Sequence, residues 1–285
     1  MYENIIIGCD DSLSSKAAVA EAAQLVRNHG GKLTLAHAVY FDEEEFSNAP
    51  GQREKRFELG AKMCSERKGA VLSEFGVAAD SIVCEGEPPE VLADLARERK
   101  ADLVALGTYG RKGLNRLLMG SVTSGVILNA PCDVLVVKRP CSECNGRFHS
   151  ILLPFDGSEF SKKALLRACE LAKTDKATIT ALYVIPRYEE MVGFLRTEAI
   201  KQSLEQEAAT ILSSARKIAA EQGVAIATVT QEGSAEEKIV ELSGRLKNDL
   251  IVMGSYGWRG VNKAIMGSTA ERVIISASCP VLVVQ

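Results

Sequence analysis

The sequence predicts an α/β protein of two tandem domains, each a doubly wound parallel sheet of five strands. The first observation is a repeat, because residues 107–121 (GTYGRKGLNRLLMGS) match residues 254–268 (GSYGWRGVNKAIMGS). The second is that short apolar segments alternate with helical patterns in both halves, which is typical of parallel sheets with right-handed crossovers. The third is the length of 285 residues, which suits two domains of ordinary size.

Each half follows the same order of elements. It opens on an uninterrupted apolar run, as expected for a central strand buried on both faces. The predicted strands are 5–8, 32–39, 81–84, 103–106 and 134–137 in the first half, and 151–154, 177–184, 227–231, 250–253 and 281–284 in the second. Between them, patterns rich in alanine and leucine or in charge predict helices at 13–28, 52–75 and 89–99, and at 162–173, 196–222 and 235–246. A short helix is expected after each repeated loop.

The predicted domains cover residues 1–139 and 150–285, with a linker at 140–149. The segment KRPCSECNGRFHS around this linker has no counterpart after the second half, and its Pro, Gly, Ser and Asn residues are typical of a connection. The last strands, 134–137 and 281–284, would be exposed apolar edges in isolated domains, and such edges invite pairing. We therefore expect the two halves to pair through these strands.

Composition narrows the functional class. A net charge of −3 and a pI near 5.8 argue against a broad nucleic-acid-binding surface. No apolar run reaches membrane-spanning length, and the N-terminus lacks the basic region of a secretory signal. Eight cysteines without such a signal indicate reduced thiols. We expect a cytoplasmic protein with neither nucleic acid nor membrane as a partner.

A glycine-rich loop that leads into a helix is typical of a phosphate-binding site, and both halves carry one. We expect its first glycine to end strand four, where a side chain would block a ligand. We expect the second glycine to turn the chain, and the third to precede the helix. The glycines and the following serine are Gly107, Gly110, Gly120 and Ser121 in the first copy, and Gly254, Gly257, Gly267 and Ser268 in the second.

Each serine stands where a helix N-cap is expected, and Glu271 follows Ser268 at the spacing of a capping box. A phosphate there would meet free backbone N–H groups and the positive end of the helix dipole, worth about 0.3–1 kcal/mol when exposed. Gly120→Val should abolish binding by filling the phosphate approach and straining the backbone. The loops also supply cations, at Arg111, Lys112 and Arg116 in the first copy and at Arg259 and Lys263 in the second.

The competing interpretation of each loop is a tight strand-to-helix crossover with solvated charges. A single glycine loop would favour that interpretation, since such motifs match often by chance. Two copies at matching positions of the predicted fold favour a ligand site instead.

An acidic turn follows the first strand of each half. Asp10 and Asp156 fall at the predicted switch point of the sheet, where doubly wound domains bind ligands. A carboxylate there can accept hydrogen bonds from an adenine amino group or from ribose hydroxyls. The competing interpretation is a helix N-cap, although Ser12 and Ser158 are equally suited to that role.

Both halves resemble universal stress protein domains of the subgroup that binds ATP through Gly-2x-Gly-9x-Gly-Ser, because this motif is intact twice. The resemblance covers nearly the whole chain apart from the linker. It implies the Rossmann-like fold of the adenine nucleotide alpha-hydrolase type, with the two halves related by a pseudo-twofold. In the family, equivalent strands pair across a dimer, so a homodimer is one expected assembly.

The resemblance also implies a set of nucleotide-binding positions. The aspartate contacts adenine, the residue ending strand two meets the base through its backbone, and the residue before the first glycine lines the pocket. The glycine loop and serine hold ribose and phosphates. In this chain these positions, with their neighbours, are Asp10, Val39, Leu106, Gly107, Gly110, Arg111, Gly120, Ser121 and Val122, and then Asp156, Val184, Met253, Gly254, Gly257, Gly267, Ser268 and Thr269.

The function implied is that of an ATP-binding stress-response protein, a sensor or regulatory module that signals to a protein partner. ATP is the expected ligand, with ADP and AMP as alternatives and Mg²⁺ as its companion. Arg111 in the first loop is replaced by Trp258 in the second, so the first site should prefer ATP over AMP more strongly. A slow nucleotide hydrolase and a structural protein without nucleotide are the competing functions. The absence of a Walker GxxxxGK[ST] motif weighs against dedicated phosphoryl transfer.

The cysteine and histidine residues give little further indication of function. Cys141 and Cys144 form a CxxC in the predicted linker, where an exposed thiol pair is favoured over a reversible disulfide or a metal site. The remaining cysteines fall in apolar or helical contexts and are expected to be small core residues. His37 lies in a predicted strand and is expected to be packed.

Overall fold

A computed structural model describes residues 1–40, 51–108, 119–139, 146–186, 198–255 and 266–285. Contacts between Cα atoms divide the chain into two compact units, Met1–Arg147 and Phe148–Gln285, called here the first and second units. In the part of the chain that the structure describes, no helix is both long enough and apolar enough to cross a membrane.

Strands and helices alternate along the first unit, as the apolar pattern predicts. Among its described residues, the strands are β1 (Asn4–Gly8), β2 (Lys32–Val39), β3 (Ala79–Glu85), β4 (Leu103–Gly107) and β5 (Asp133–Val137). The helices are α1 (Leu13–His29), α2 (Gln52–Phe75), α3 (Pro88–Glu98) and α4 (Ser121–Asn129).

The second unit repeats this order. Its described strands are β6 (Ser150–Pro154), β7 (Thr178–Ile185), β8 (Ala227–Glu232), β9 (Leu250–Gly254) and β10 (Val281–Val284). Its helices are α5 (Glu159–Asp175), α6 (Glu198–Glu221), α7 (Ala235–Leu246) and α8 (Ser268–Ser276).

Each unit contains a parallel sheet whose strand order reverses once. The order is β3-β2-β1-β4-β5 in the first unit and β8-β7-β6-β9-β10 in the second. The switch point therefore lies between β1 and β4, and between β6 and β9. In the first unit α1 contacts α2, and α3 contacts α4, which agrees with one pair of helices on each face of the sheet. The predicted doubly wound α/β fold is confirmed.

The core of each unit is built around its central strand. Ile5, Ile6 and Ile7 in β1 are fully buried, and so are the three residues 151–153 of β6. An uninterrupted apolar triplet is stable there because helices cover both faces, so that no side chain of the strand points to water. Burying each such side chain contributes about 1.5–3 kcal/mol relative to exposure.

The end of β7 differs from prediction in a way that bears on the candidate site. The amide of Gly86 donates to the carbonyl of Val39 (3.1 Å), and the amide of Gly233 donates to the carbonyl of Ile185 (3.0 Å). The two hydrogen bonds occupy the same place in the two sheets. The structural counterpart of Val39 is therefore Ile185, and the pairing of Val39 with Val184 is wrong by one residue because β7 continues for one residue more.

Candidate functional site

The predicted site residues follow three strands that lie side by side in each sheet. In the first unit, β1 pairs in parallel with β2 on one side and with β4 on the other. Because the carboxyl ends of parallel strands share one edge, Asp10 after β1, Val39 at the end of β2 and Gly107 at the end of β4 lie at the same edge. The equivalent strands β6, β7 and β9 are adjacent in the same way.

One hydrogen bond of the acidic turn recurs in both units. Oδ1 of Asp10 accepts from the amide of Ser12 (2.9 Å), and Oδ1 of Asp156 accepts from the amide of Ser158 (3.0 Å). The two serines are the N-caps of α1 and α5. Serine rather than aspartate therefore caps each helix. The bond to the serine amide orients the aspartate carboxylate, which has about four acceptor positions in all.

The helix after the glycine loop begins differently from prediction. The N-cap residues of α4 and α8 are Gly120 and Gly267, and the serines that follow are the first helical residues. The expected serine N-caps and the expected capping box from Ser268 to Glu271 are therefore wrong by one position. The carbonyl of Gly120 accepts from the amide of Ser124 (3.1 Å), which is the first bond of the helix.

The shift by one residue leaves both helices without a side-chain cap. In contrast, Oγ of Ser12 accepts from the amide of Ser15 (3.1 Å) at the start of α1. The first amides of an α-helix have no acceptor within the helix. At α4 these are the amides of Ser121, Val122 and Thr123. A helix of nine residues with uncapped amides presents donors and a positive dipole end to an anion.

The backbone at the N-cap glycines is ordinary. Gly120 has φ −62° and ψ 140°, and Gly267 has φ −61° and ψ 129°. Any residue adopts these angles, so the expectation that Gly120→Val would strain the backbone is wrong. A side chain at Gly120 would affect a ligand only through the space that it fills.

The first glycine of each motif has a packing role that the sequence analysis missed. A Cβ added at Gly107 would lie 2.5 Å from Oγ of Ser14 and 2.6 Å from its carbonyl carbon, in the first turn of α1. A Cβ at Gly254 would lie 2.6 Å from Cβ of Phe160, in the first turn of α5. Glycine is needed at both positions because the strand and the helix approach each other closely. The sequence analysis had instead expected glycine to leave room for a ligand.

Two buried hydroxyl groups beside these glycines also escaped the sequence analysis. Thr108 and Ser255 directly follow Gly107 and Gly254, and each is 1% exposed. Neither hydroxyl has a hydrogen-bond partner among the residues that the structure describes. An unpaired buried hydroxyl costs about 1–3 kcal/mol, so its recurrence in both units at one motif position indicates a polar neighbour. The sequence did contain a signal for this feature, because the second position of both repeats is a residue whose side chain carries a hydroxyl group.

The backbone carbonyls of Thr108 and Ser255 accept hydrogen bonds from the third glycine of each motif. The amide of Gly120 donates to the carbonyl of Thr108 (3.2 Å), and the amide of Gly267 donates to that of Ser255 (3.3 Å). In the first unit, Oγ1 of Thr123 also donates to the carbonyl of Gly107 (2.9 Å). The end of strand four and the start of the following helix are thus held together in both units.

The remaining predicted residues differ in exposure. Ser121 and Ser268 are exposed, and Val122 and Thr269 are half-buried. The residues before the first glycines are buried, with Leu106 3% and Met253 5% exposed, and so is Val39. Val184 is half-buried. Several predicted residues lie outside the described ranges, namely Gly110, Arg111, Lys112, Arg116, Cys141, Cys144, Gly257, Trp258, Arg259 and Lys263.

Two described cations at this end of the first unit are bonded to protein groups. The Arg53 guanidinium donates to Glu85 at the end of β3 (2.6 Å) and lowers the pKa of that carboxyl. The Arg56 guanidinium donates to the carbonyl of Tyr40 (3.0 Å), just after β2. These contacts fix the start of α2 against the carboxyl edge of the sheet.

The described residues contain no group of three or more side chains suited to hold a metal ion. The described site residues thus provide backbone amides, hydroxyl groups and a helix dipole that can bind an anion. They also provide one oriented carboxylate that can bind a sugar or a base. Such an arrangement suits a nucleotide, whose phosphates can bring a Mg²⁺ ion that keeps most of its own water ligands.

Comparison with known proteins places the whole chain in one family. The model of the universal stress protein family matches residues 1–138 and 147–285. A universal stress protein of Methanocaldococcus jannaschii is 40% identical over 141 residues, which are 48% of this chain and 82% of the relative. One of Mycobacterium tuberculosis is 27% identical over 295 residues, which cover 99% of this chain and 96% of the relative.

Solved structures share the fold over the same extent. The crystal structure of a universal stress protein from Archaeoglobus fulgidus has a TM-score of 0.70 and 18% identity, and the match covers 99% of this chain and 96% of that chain. At this identity the likeness concerns the fold alone. Because the family model matches both halves of the sequence, the chain belongs to the universal stress protein family.

Proposed function

We propose that each unit binds an adenine nucleotide, with ATP as the expected ligand, and that the protein acts as a nucleotide-responsive regulatory module in a stress response. The observation that carries this proposal is the uncapped helix N-terminus that follows the glycine motif at the switch point of both sheets. Replacing a serine N-cap by glycine costs a helix only about a few tenths of a kcal/mol. Glycine at this position therefore leaves the first amides open to an anion at small cost to the helix, although a serine is adjacent.

The proposed pose uses residues of three segments. The amides of Ser121 and Val122 would donate to phosphate oxygens at the positive end of the helix dipole. The buried hydroxyl of Thr108 would gain a polar neighbour in the ligand. The oriented carboxylate of Asp10 would accept from the base or ribose. In the second unit the same roles fall to Ser268, Thr269, Ser255 and Asp156.

The first test removes one amide without removing the helix. Ser121→Pro deletes the N–H of the first helical residue, and proline is well tolerated at that position. Gly120 already has the extended angles that a residue before proline requires. Helix α3 begins with Pro88, so the same unit already accepts proline at a helix start. Calorimetry with Mg²⁺-ATP should show that the affinity of the first site falls at least tenfold.

The matched control is Ser121→Ala, which removes the hydroxyl and keeps the amide. It should bind ATP more tightly than the proline variant, while both variants keep the thermal stability of the ligand-free protein. No saturable heat from the unmodified protein at millimolar ATP would refute the proposed function. Equal ATP affinity of the proline variant and the unmodified protein would refute the assignment of phosphate to this helix.

A further inference from the structure

The helix that begins at each candidate site contacts a neighbouring helix through one pair of positions. In the first unit the pair is Pro89, in the first turn of α3, and Gly125 on α4. A Cβ added at Gly125 would lie 2.6 Å from Cβ of Pro89, so the proline ring packs directly on α4. In the second unit the equivalent pair is Glu236, in the first turn of α7, and Arg272 on α8. The Arg272 guanidinium donates a hydrogen bond to Oε1 of Glu236.

Both members of the pair differ between the two units, yet the contact is present in both. The second pair lies at the same spacing from the first as the second glycine motif does. A change of one member alone would disturb the contact. A side chain at Gly125 would overlap Pro89, and a proline in place of Glu236 would remove the acceptor of Arg272. Positions that change together while staying in contact indicate that the contact itself is needed.

Helix α7 is a firm support for such a contact, because it is fixed to the sheet. The amide of Gly233, just before α7, donates to the carbonyl of Ile185 at the end of β7 (3.0 Å). Ile239 and Leu242 of α7 are buried. The first turn of α7, which carries Glu236, is therefore held at the edge of the sheet where the candidate site lies.

The start of α8 has fewer contacts of its own to hold it. The helix has nine residues and no side-chain cap, and its first hydrogen bond runs from the amide of Glu271 to the carbonyl of Gly267 (3.1 Å). Its largest buried side chains, Val273 and Ile274, lie after the first turn. The side chain of Glu236 is only 20% exposed, so the ion pair with Arg272 joins the first half of α8 to a partly buried group.

We propose that the ion pair of Glu236 and Arg272 positions the start of α8 for phosphate, and that Pro89 packed on Gly125 does the same for α4. This inference rests on the proposed nucleotide binding. Binding groups must be held to within about 0.5 Å of their working geometry, and the residues behind them supply that precision. The ion pair acts through the helix and does not touch the ligand. Charge substitutions on α7 should therefore alter the second site through the position of α8.

The test uses the full-length Ser121→Pro variant, in which the second site binds ATP without a competing first site. In this background, Glu236→Arg should lower the affinity for Mg²⁺-ATP about fivefold, the size expected of a partly exposed ion pair. Combining Glu236→Arg with Arg272→Glu restores an ion pair of reversed polarity, and the affinity should return to within about twofold of the parent. Calorimetry measures both affinities.

The direction of the first effect separates positioning from direct attraction. Glu236→Arg adds positive charge near the proposed phosphate position, so direct attraction would tighten binding. The matched control is Glu237→Arg, which makes the same charge change at an exposed residue in the same turn of α7. The control should keep the affinity of the parent to within about twofold. Tighter or unchanged binding by Glu236→Arg, or an equal loss in the control, would overturn the proposal.

Hydrogen exchange of the nucleotide-free protein gives a second measurement that needs no ligand. In peptides that cover α8, including the amide of Glu271, Glu236→Arg should accelerate exchange at least threefold. The reversed ion pair should restore slow exchange, and Glu237→Arg should leave it unchanged. Equal exchange in all these variants would overturn the positioning role, whether or not nucleotide binds. The expected exchange pattern without any ATP binding would refute the proposed function and leave the contact between the helices supported.

Discussion

At the scale of single residues, contacts across the sequence decide what each side chain does. The Tyr2 hydroxyl donates to Oδ2 of Asp133 (2.7 Å), and both residues are buried. The second unit has Phe148 at the position of Tyr2, 3% exposed, so the fold accepts a ring without the hydroxyl at this point. In the first unit the hydroxyl of Tyr2 is needed because the buried carboxylate of Asp133 requires a hydrogen-bond donor.

We expect Tyr2→Phe to destabilise the first unit by about 1.5–3 kcal/mol, because it removes a buried hydrogen bond to a carboxylate. Urea denaturation with pulse-labelling hydrogen exchange would report each unit separately. A double-mutant cycle with Asp133→Asn isolates the pair from the other contacts of both residues. A coupling free energy below about 0.5 kcal/mol would contradict this interpretation.

Gly107 offers a second test at this scale. Gly107→Ala should destabilise the ligand-free first unit by about 1–3 kcal/mol, because its Cβ would overlap the backbone of Ser14. The control is Gly69→Ala on α2, where an added Cβ meets no atom within 4 Å. That variant should stabilise the unit by roughly 0.5–1 kcal/mol. If Gly107→Ala kept its stability and lost only ATP affinity, the original interpretation of a ligand approach would be restored.

At the scale of elements, one aspartate anchors the central strand of each unit. Asp102, just before β4, accepts from the amides of Glu3 (2.6 Å) and Asn4 (3.0 Å) at the start of β1. Asp249 does the same for the amides of His149 (2.7 Å) and Ser150 (3.0 Å). Because β1 and β4 flank the switch point, this anchor sets the register of the two strands whose carboxyl ends carry the candidate site.

Asp102→Ala should destabilise the first unit by about 1.5–3 kcal/mol, since two backbone amides lose a charged acceptor. Hydrogen exchange at the start of β1 should accelerate first. The control is Asp94→Ala, which removes an exposed aspartate that pairs with Arg97 and should change stability by no more than about 1 kcal/mol. Equal effects of the two substitutions would show that the anchor contributes nothing specific.

At the scale of the whole molecule, duplication supplies two candidate sites that have diverged. The backbone elements are alike, with an uncapped helix start, a buried hydroxyl and an oriented aspartate in each unit. The difference that should affect the binding of phosphates lies in the glycine loops, where Arg111 of the first copy corresponds to Trp258 of the second. Both residues lie outside the described ranges, so the difference in ligand preference stays a prediction.

Two proline variants isolate the sites for this comparison. Ser268→Pro leaves the first site intact, and Ser121→Pro leaves the second. We expect the first site to have a ratio of ATP affinity to AMP affinity about tenfold higher, since a charge-assisted hydrogen bond to phosphate contributes about 1.5–3 kcal/mol when desolvated. Titration of each variant with both nucleotides measures the ratio. A second site with an equal or larger ratio would contradict the charge argument.

The sequence by itself determined the fold class, the duplication and the position of the glycine motif. Apolar triplets, the alternation of strand and helix patterns and the glycine spacing are local signals, and each depends on residues close together in the chain. They also place the acidic turn and the end of strand four at one edge, because parallel strands share their carboxyl ends. Most element bounds were therefore predicted to within two or three residues.

Only the tertiary structure decided what those residues contact. Gly107 is required by the first turn of α1, more than ninety positions earlier in the sequence. Gly120 rather than Ser121 caps α4, because the hydrogen bond from its amide to Thr108 sets where the helix starts. These roles depend on distances between segments that are remote along the chain. No local pattern records such distances, so the sequence located the candidate site but misassigned several of its residues.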